Sequence, residues 1–362
     1  MKKTDDLMRQ AISEEVFPGG VLLVSRKNTV LFFEAYGHAN IFTKHLTTRE
    51  TIYDLASLTK PLATSLAVMM LILQRKIDLE QNLGSLLPPF KGGEKERITI
   101  RDLLYHISGF PDYRPYYEIL CRLPINERED TLHELIVKEP LLYPIGERVL
   151  YSDIGFMILR WVIESIAEQR FDHFVREYIF RPLNLDSDDG LFFVDLNSNP
   201  SEGKFAATEH CPWRNILVEG AVHDENAYVV GGIAGQAGLF GSAEKVHSLL
   251  SKLLTMFNGC ATADFFPRDL VQKFFKRHAL SQRALGFDAP SLEGSSCGKY
   301  FSKRSVGHLG FTGTSFWMDL DRSIIVVLLT NRVHPSRNNL KIKAFRPILH
   351  DTIMEYLTGL KF

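Results

Sequence analysis

The apolar positions along the chain predict β-strands at its two ends and helices in its middle. Four runs are rich in β-branched and aromatic residues and are expected to be strands, namely residues 21–25, 30–36, 311–320 and 324–330. Polar turns separate the two members of each pair, which is typical of hairpins. Amphipathic spacing predicts a helix near each terminus, over residues 4–16 and from about 339 to 357.

Helical patterns dominate the centre of the chain, over residues 61–75, 99–107, 130–138, 153–168, 171–179 and 243–257. The simplest assembly is an α+β fold, an α/β sandwich. In it, an antiparallel sheet of N- and C-terminal strands is flanked by the terminal helices and interrupted by a large helical insertion. We expect residues 1–90 and 290–362 to form the α/β sheet domain and residues 91–289 the insertion. The cleft between them is a favoured place for a ligand.

One of the predicted helices combines an apolar sequence with candidate chemistry. Residues 61–73 are apolar on nearly all sides, which indicates a buried helix, and Ser57 and Lys60 lie where it begins. Residues three apart on a helix share one face, so the Lys60 amine can activate the Ser57 hydroxyl as a nucleophile. The helix dipole and burial are both expected to lower the pKa of Lys60, which favours a neutral amine that can act as a base.

The Ser-x-x-Lys pattern alone is weak evidence, because it occurs three more times in the chain. The other pairs are Ser201 with Lys204, Ser242 with Lys245, and Ser296 with Lys299. Ser242 is better explained as the N-cap of an amphipathic helix. The other two serines lie in a polar loop and a glycine-rich turn, which would not hold a catalytic side chain in a fixed position. Ser57 is therefore the preferred nucleophile.

Two further motifs lie at element boundaries, where clefts form. Tyr151 and Asp153 follow a turn and precede an apolar helix, where Tyr151 can carry a proton between a serine and a leaving group. His308 and Gly310 precede the next-to-last predicted strand, and Gly310 permits close approach of the backbone to a ligand. Each motif alone also has a plain structural explanation, as an aromatic residue packed at a helix end or a histidine at a strand start.

In this order the three motifs resemble those of the serine β-lactamase-like hydrolases of the class C type. That family includes penicillin-binding DD-peptidases and carboxylesterases. Its signatures Ser-x-x-Lys, Tyr-x-Asn and Lys/His-x-Gly look like Ser57–Lys60, Tyr151–Asp153 and His308–Gly310. Longer similar blocks cover residues 98–109, 151–156, 222–232, 235–240 and 307–313. The resemblance covers roughly residues 10–355 and implies a β-lactamase/transpeptidase-like fold.

The resemblance also implies a role for each matched residue. Ser57 attacks a carbonyl and forms an acyl-enzyme, and Lys60 and Tyr151 form the base–acid system. Which of these two takes the first proton stays open. The N–H groups of Ser57 and Phe311 form the oxyanion hole. The matched residues that line the substrate pocket are Asp153, His308 and Gly310.

Two departures from the family pattern bear on the substrate. Asp153 replaces the commoner asparagine and loses an N–H donor for a substrate amide. His308 replaces lysine and loses a permanent cation; Arg332, just past the last strand, either restores one or is an ordinary solvated strand end. The sequence therefore favours a carboxylesterase acting on small acyl esters. The alternatives are a β-lactamase or DD-peptidase-like amide hydrolase and a non-catalytic binding protein on the same scaffold.

Composition bears on partners and location. The 362 residues carry a net charge of −1, so no nucleic-acid partner is indicated and a small acyl substrate is expected. The apolar runs are too short for a membrane span and no secretory signal is visible, which predicts a cytoplasmic protein of unknown oligomeric state. No cofactor or metal is expected, because His223 and Asp224 lack further ligands and the cysteines are widely spaced. The cysteines are Cys121, Cys211, Cys260 and Cys297.

Overall fold

A six-stranded antiparallel sheet, built from both ends of the chain, forms the centre of this computed structural model. The structure describes residues 1–187, 190–198, 204–259 and 265–359, so Ser201 and Cys260 lie outside the described residues. The strands of the sheet are β1 (Gly19–Arg26), β2 (Thr29–Asn40), β3 (His45–Leu46), β9 (Val306–Leu309), β10 (Ser315–Asp319) and β11 (Ile324–Thr330), in the order β3-β2-β1-β11-β10-β9. The smaller sheets contain β4 (Tyr53–Asp54), β8 (Leu239–Gly241) and β5 (Phe192–Phe193), and β6 (His210–Cys211) with β7 (Ile216–Leu217).

The antiparallel pair of β1 and β11 joins the two ends of the chain at the middle of the sheet. Gly20 lies opposite Thr330, and Arg26 lies opposite Ile324. All of β11, and all of β1 except Arg26, is buried, because both faces of the sheet are covered. Strands buried on both faces appear in a sequence as continuous apolar runs, which is why the pattern predicted them.

Helices cover both faces of this sheet. The terminal helices α1 (Lys2–Ser13) and α12 (Ile342–Thr358) pack together on one face, over a core that includes Leu22 and Trp317. On the other face α10 (Ala243–Asn258) contacts β1 and β11. The other helices are α2 (Ser65–Leu73), α3 (Leu83–Leu86), α4 (Ile100–Leu104), α5 (Tyr117–Leu120), α6 (Ile125–Lys138), α7 (Asp153–Ala167), α8 (Phe171–Val175), α9 (Glu225–Val229) and α11 (Arg268–Phe274).

The helix that carries Ser57 begins with two irregular turns. A 3₁₀ turn, Ala56–Leu58, and a π turn, Lys60–Thr64, lead into α2. Pro61 has no N–H to complete a regular turn, and the wider π turn accommodates it. Within the described ranges, the continuous helix Ala56–Leu73 is long and apolar enough to cross a membrane. It is 83% buried inside the protein, as the core helix of a folded domain would be.

The structure confirms the α+β class and the sheet built from both ends of the chain, but it corrects one strand. The strand predicted over residues 311–320 begins only at Ser315, because residues 311–314 form a turn. Gly313 has a φ of +112°, a conformation that glycine adopts readily and that interrupts the strand. The strand β9, which was not predicted, ends just before this turn. The division into a sheet domain and an insertion over residues 91–289 stays a prediction.

Candidate active site

Ser57 and Lys60 meet at the start of the buried helix. The Lys60 Nζ lies 2.9 Å from the Ser57 Oγ and 3.0 Å from the backbone oxygen of Gln236. The Asp153 Oδ1 lies 2.6 Å from the same nitrogen. The Lys60 side chain has no exposed surface, whereas Asp153 is 20% exposed. The structure thus brings Ser57, Lys60 and Asp153 together and fixes the amine against the hydroxyl.

The backbone just before Ser57 is held in a left-handed conformation, with Ala56 at a φ of +48°. This conformation costs a non-glycine residue roughly 1–2 kcal/mol, so the surroundings must impose it. The buried Asp54 carboxylate accepts the Ala56 N–H at 2.8 Å and the His223 N–H at 2.7 Å. The Thr59 hydroxyl donates to the Ala56 oxygen at 2.6 Å. These hydrogen bonds hold the turn that presents Ser57.

The charge state of Lys60 differs from the sequence prediction. Burial acts to lower the pKa of Lys60, but the neighbouring Asp153 and Tyr151 outweigh it, and the pKa of Lys60 is raised above its ordinary value. The predicted lowering of this pKa is therefore wrong. Burial and the helix dipole are local properties, whereas Asp153 approaches Lys60 only in the folded chain. Lys60 is an ammonium ion at neutral pH.

Tyr151 lies over the Ser57–Lys60 pair. Its ring centroid is 4.9 Å from the Lys60 Nζ, and its hydroxyl is close enough to Lys60 and Ser57 for both to influence the pKa of Tyr151. Burial raises the pKa of Tyr151 and the Lys60 charge lowers it, with a net value above the ordinary one. The resting tyrosine therefore keeps its proton. In the free protein both members of the base–acid system are protonated.

Two residues that the motif analysis did not single out flank the Tyr151 ring. The His106 ring centroid lies 4.6 Å away, and the Arg283 guanidinium carbon lies 5.2 Å from the Tyr151 centroid. The His106 Nδ1 accepts the Ser152 N–H at 2.9 Å, and Arg283 forms an ion pair with Asp288. His106 lies within a block similar to the family, so a signal for it existed. Arg283 lies outside those blocks and was missed.

His308 also faces Tyr151, with 5.9 Å between the ring centroids. Its Nδ1 lies 2.9 Å from the Leu309 carbonyl oxygen, which can only accept, so Nδ1 carries the hydrogen. Burial lowers the pKa of His308 to about 4. The imidazole is therefore neutral at pH 7. Its Nε2 is buried and has no hydrogen-bond partner within the described part of the chain.

The turn that carries Phe311 is fastened to the backbone just before Ser57. The Thr312 hydroxyl donates to the Asp54 oxygen at 2.8 Å, and the Thr314 hydroxyl donates to the Leu55 oxygen at 3.1 Å. Since these two acceptors lead directly into the Ser57 turn, the backbone of Phe311 is held next to the nucleophile. This placement is what an oxyanion hole from the two N–H groups requires.

A Gly310→Ala substitution is expected to damage this arrangement. An alanine Cβ at Gly310 would lie 2.7 Å from the Leu55 oxygen and would also clash with the Thr314 hydroxyl. Relief of the clash moves the turn away from Ser57, and we expect Ser57 to react with a fluorophosphonate about 10²-fold more slowly. Gly93→Ala is the matched control, because nothing lies within 4 Å of its added Cβ. Equal labelling rates in the two variants would contradict this role of Gly310.

Arg332 lies behind Phe311. Its guanidinium carbon is 4.6 Å from the Phe311 ring centroid, and its Nη1 donates to the backbone oxygens of Arg337 and Asn339 at 2.9 and 3.0 Å. Arg332 is buried, whereas Phe311 is 49% exposed. These contacts support the Phe311 side chain. A direct contact of Arg332 with substrate stays a prediction.

His223 and Asp224 make contacts typical of structural residues. The Asp224 carboxylate caps α9 by accepting the Ala227 N–H at 2.7 Å, and the His223 Nε2 lies 3.1 Å from the Glu209 carboxylate. Among the residues that the structure describes, no group of three or more histidine, cysteine, aspartate or glutamate side chains is arranged to hold a metal ion.

Comparison with known proteins is consistent with this geometry. The chain matches the family model described as Beta-lactamase over residues 4–346. A putative D-alanyl-D-alanine carboxypeptidase of Salmonella agona is 32% identical over an alignment 359 residues long, which covers 90% of this chain and 81% of that protein. The corresponding Salmonella typhi protein is 31% identical with the same coverage.

Two solved structures show the same fold at low sequence identity. EstCE1, a hydrolase with promiscuous acyltransferase activity, is 22% identical with a TM-score of 0.73, covering 96% of this chain and 98% of that one. The octameric penicillin-binding protein homologue from Pyrococcus abyssi is 18% identical with a TM-score of 0.75, covering 99% and 77%. Together with the family match over nearly the whole length, they confirm the resemblance inferred from the three motifs. The chain belongs to the Beta-lactamase family and is a serine hydrolase of the β-lactamase-like superfamily.

Proposed function

We propose that this serine hydrolase cleaves small, uncharged carboxylic esters through an acyl-enzyme on Ser57. One observation carries the proposal: the buried Nε2 of His308 lies beside Tyr151 and has no hydrogen-bond donor among the residues that the structure describes. Burial lowers the pKa of His308 to about 4, so this nitrogen offers a lone pair at pH 7. An acceptor at this position repels a substrate carboxylate and favours a hydroxyl or another neutral donor. A family member with lysine here presents a permanent cation instead.

The arrangement supports the following reaction. The Ser57 Oγ forms a bond to the ester carbonyl carbon while its proton moves to the Lys60–Tyr151 system. The carbonyl oxygen becomes an oxyanion that accepts hydrogen bonds from the backbone N–H groups of Ser57 and Phe311. The bond to the alkoxy oxygen then breaks, and the proton passes to the departing alcohol. Water attacks the acyl group by the reverse route and releases the acid and free Ser57.

A second candidate function is the hydrolysis of amides in cell-wall peptides or β-lactams. It is favoured by the Salmonella relatives, which are named putative D-alanyl-D-alanine carboxypeptidases. Such a substrate ends in a carboxylate and needs a cation nearby. Arg283 lies near Tyr151 but is paired with Asp288, which offsets its charge. The neutral His308 and the paired Arg283 therefore favour an uncharged ester over an amide substrate that carries a carboxylate.

Substrate profiles of the native protein and a His308→Lys variant test the proposal. The native protein should hydrolyse p-nitrophenyl butyrate but turn over nitrocefin slowly and form little stable penicillin adduct on Ser57. His308→Lys should acylate with penicillin about tenfold or more faster, because it adds a cation for the carboxylate. The control His45→Lys adds the same charge at an exposed residue of β3 and should change neither rate. Rapid nitrocefin turnover by the native protein, with slow ester hydrolysis, would favour the second function.

The pH dependence should reflect the two protonated groups. Because a base must lose its proton before Ser57 can react, kcat/KM should rise about tenfold per pH unit through neutrality. The Asp153 carboxylate raises the pKa of both Lys60 and Tyr151. Its removal in Asp153→Asn destabilises the ammonium and stabilises the tyrosinate, so both pKa values fall. The rising limb should therefore move to lower pH, whichever group is the base.

The measurement is kcat/KM for p-nitrophenyl butyrate between pH 5 and pH 9. Asp112→Asn is the control, because it removes the same charge from an exposed carboxylate. A pH profile of Asp153→Asn that coincides with that of Asp112→Asn, or that moves to higher pH, would contradict the assigned charges.

A further inference from the structure

A cavity of about 270 Å³ opens between α11, the end of α10 and the segment that leads into β9. None of the catalytic or oxyanion-hole residues line it. Its lining combines basic and apolar side chains, chiefly Lys276, Arg277, Lys303 and Arg304 with Phe257 and Phe275. The volume approaches the lower end of the range of small-molecule sites, about 300 Å³.

The charged residues of this lining are all cations. Lys276, Arg277, Lys303 and Arg304 line the cavity, and no aspartate or glutamate does so. Arg304 is partly neutralised by Asp321, at 3.1 Å from its Nη1. The other three form no ion pair within the described ranges. Four positive side chains around one cavity create a potential that attracts anions.

Among the cations of the lining, Arg277 has buried donors that a bound anion could satisfy. Its Nε and Nη2 are buried and have no hydrogen-bond partner in the described part of the chain. A buried charged donor without an acceptor is unfavourable, because it has lost its hydrogen bonds to water and gained none in the protein. The Nε and Nη2 of a guanidinium form a fork that matches the two oxygens of a phosphate or carboxylate. An anion in the cavity would satisfy both donors at once.

The rest of the lining is apolar. Phe257 and Phe275 have ring centroids 5.9 Å apart, and Ala289 and Leu320 are buried beside them. The Arg304 guanidinium carbon lies 5.5 Å from the Phe257 centroid, which places a cation over this aromatic surface. A bare inorganic ion would leave these surfaces uncovered. The lining therefore suits an anion that also has an apolar body.

We propose that this cavity, away from Ser57, binds a small organic anion. A phosphate or carboxylate group of the ligand bridges the Nε and Nη2 of Arg277, and its apolar body rests on Phe257 and Phe275. Lys276 and Lys303 supply further positive charge. Phosphate monoesters and carboxylic acids both carry such an anionic group, and the affinities for phenyl phosphate and benzoate distinguish these two classes of ligand.

Calorimetric titration of the full chain tests the proposal, with phenyl phosphate, benzoate, inorganic phosphate and phenol as probes. Phenyl phosphate or benzoate should bind at one site and more tightly than inorganic phosphate or phenol, because only phenyl phosphate and benzoate combine an anionic group with an apolar ring. The tighter of the two identifies the anionic group. Ser57→Ala should bind equally well, since the cavity is separate from the nucleophile.

Two variants that each remove one positive charge from the same region locate the site. Arg277→Gln should weaken binding about tenfold or more, whereas Lys273→Gln, on α11 but outside the lining, should change it less than twofold. Removal of an unpartnered guanidinium should not lower the melting temperature, which is checked on the same samples. The proposal is overturned if no probe binds saturably, or if both variants weaken binding equally.

Discussion

Replacing Ser57 with alanine is expected to lower kcat/KM for p-nitrophenyl butyrate by at least about 10⁴-fold. The variant keeps Lys60, Tyr151 and the oxyanion-hole backbone but has no oxygen to form the acyl-enzyme. Losses of this size are typical when a nucleophile is removed from a group of residues that act together. Labelling by a fluorophosphonate should disappear as well.

The chain supplies its own control in Ser242, which belongs to another Ser-x-x-Lys pair. The Ser242 hydroxyl accepts the Lys245 N–H at 3.4 Å and caps α10. Ser242→Ala should leave kcat/KM within about twofold of the native value and lower the free energy of unfolding by about 1 kcal/mol. Ester hydrolysis or probe labelling that survives in Ser57→Ala would refute the assigned nucleophile. Absence of labelling in the native protein would favour the non-catalytic alternative.

The contrast between these two serines shows why part of the site could be predicted from sequence. Ser57 precedes a helix that is apolar all round, and Ser242 precedes an amphipathic one, so the pattern alone distinguished a serine at the start of a buried helix from the N-cap of an amphipathic helix. The strands at the chain ends were predictable for a similar reason, because β1 and β11 are buried on both faces. A buried segment needs apolar residues at each buried position, so its burial is visible in the local sequence.

The features that sequence analysis missed depend on contacts between distant parts of the chain. The pKa of Lys60 is set by Asp153, which lies 93 residues away in sequence, so local burial predicted the wrong direction. The turn at residues 311–314 replaces the start of a strand because Thr312 and Thr314 bond to Asp54 and Leu55. Arg283 reaches Tyr151 from a segment without any motif. None of these contacts can be recognised from the residues that neighbour it in the sequence.

Replacing Lys60 with methionine is expected to have the second-largest effect, on both activity and stability. Methionine keeps most of the buried volume but has no amine for the proton of Ser57, so kcat/KM should fall by about 10³-fold or more. The Asp153 carboxylate then loses its partner 2.6 Å away. Breaking a fully buried pair costs about 3–5 kcal/mol; we expect about 2–4 here, because Asp153 is 20% exposed and water screens part of its charge.

A double variant, Lys60→Met with Asp153→Asn, separates the two effects. The asparagine that replaces Asp153 carries no charge to leave unpaired, so the free energy of unfolding from urea titration should recover most of the loss, whereas kcat/KM should stay as low as in the single variant. Recovery of activity along with stability would mean that Lys60 acts only by neutralising Asp153. A single variant that keeps kcat/KM within tenfold of the native value would exclude Lys60 from the proton transfer. The expected outcome, stability regained without activity, assigns Lys60 both tasks: neutralising a carboxylate and handling the Ser57 proton.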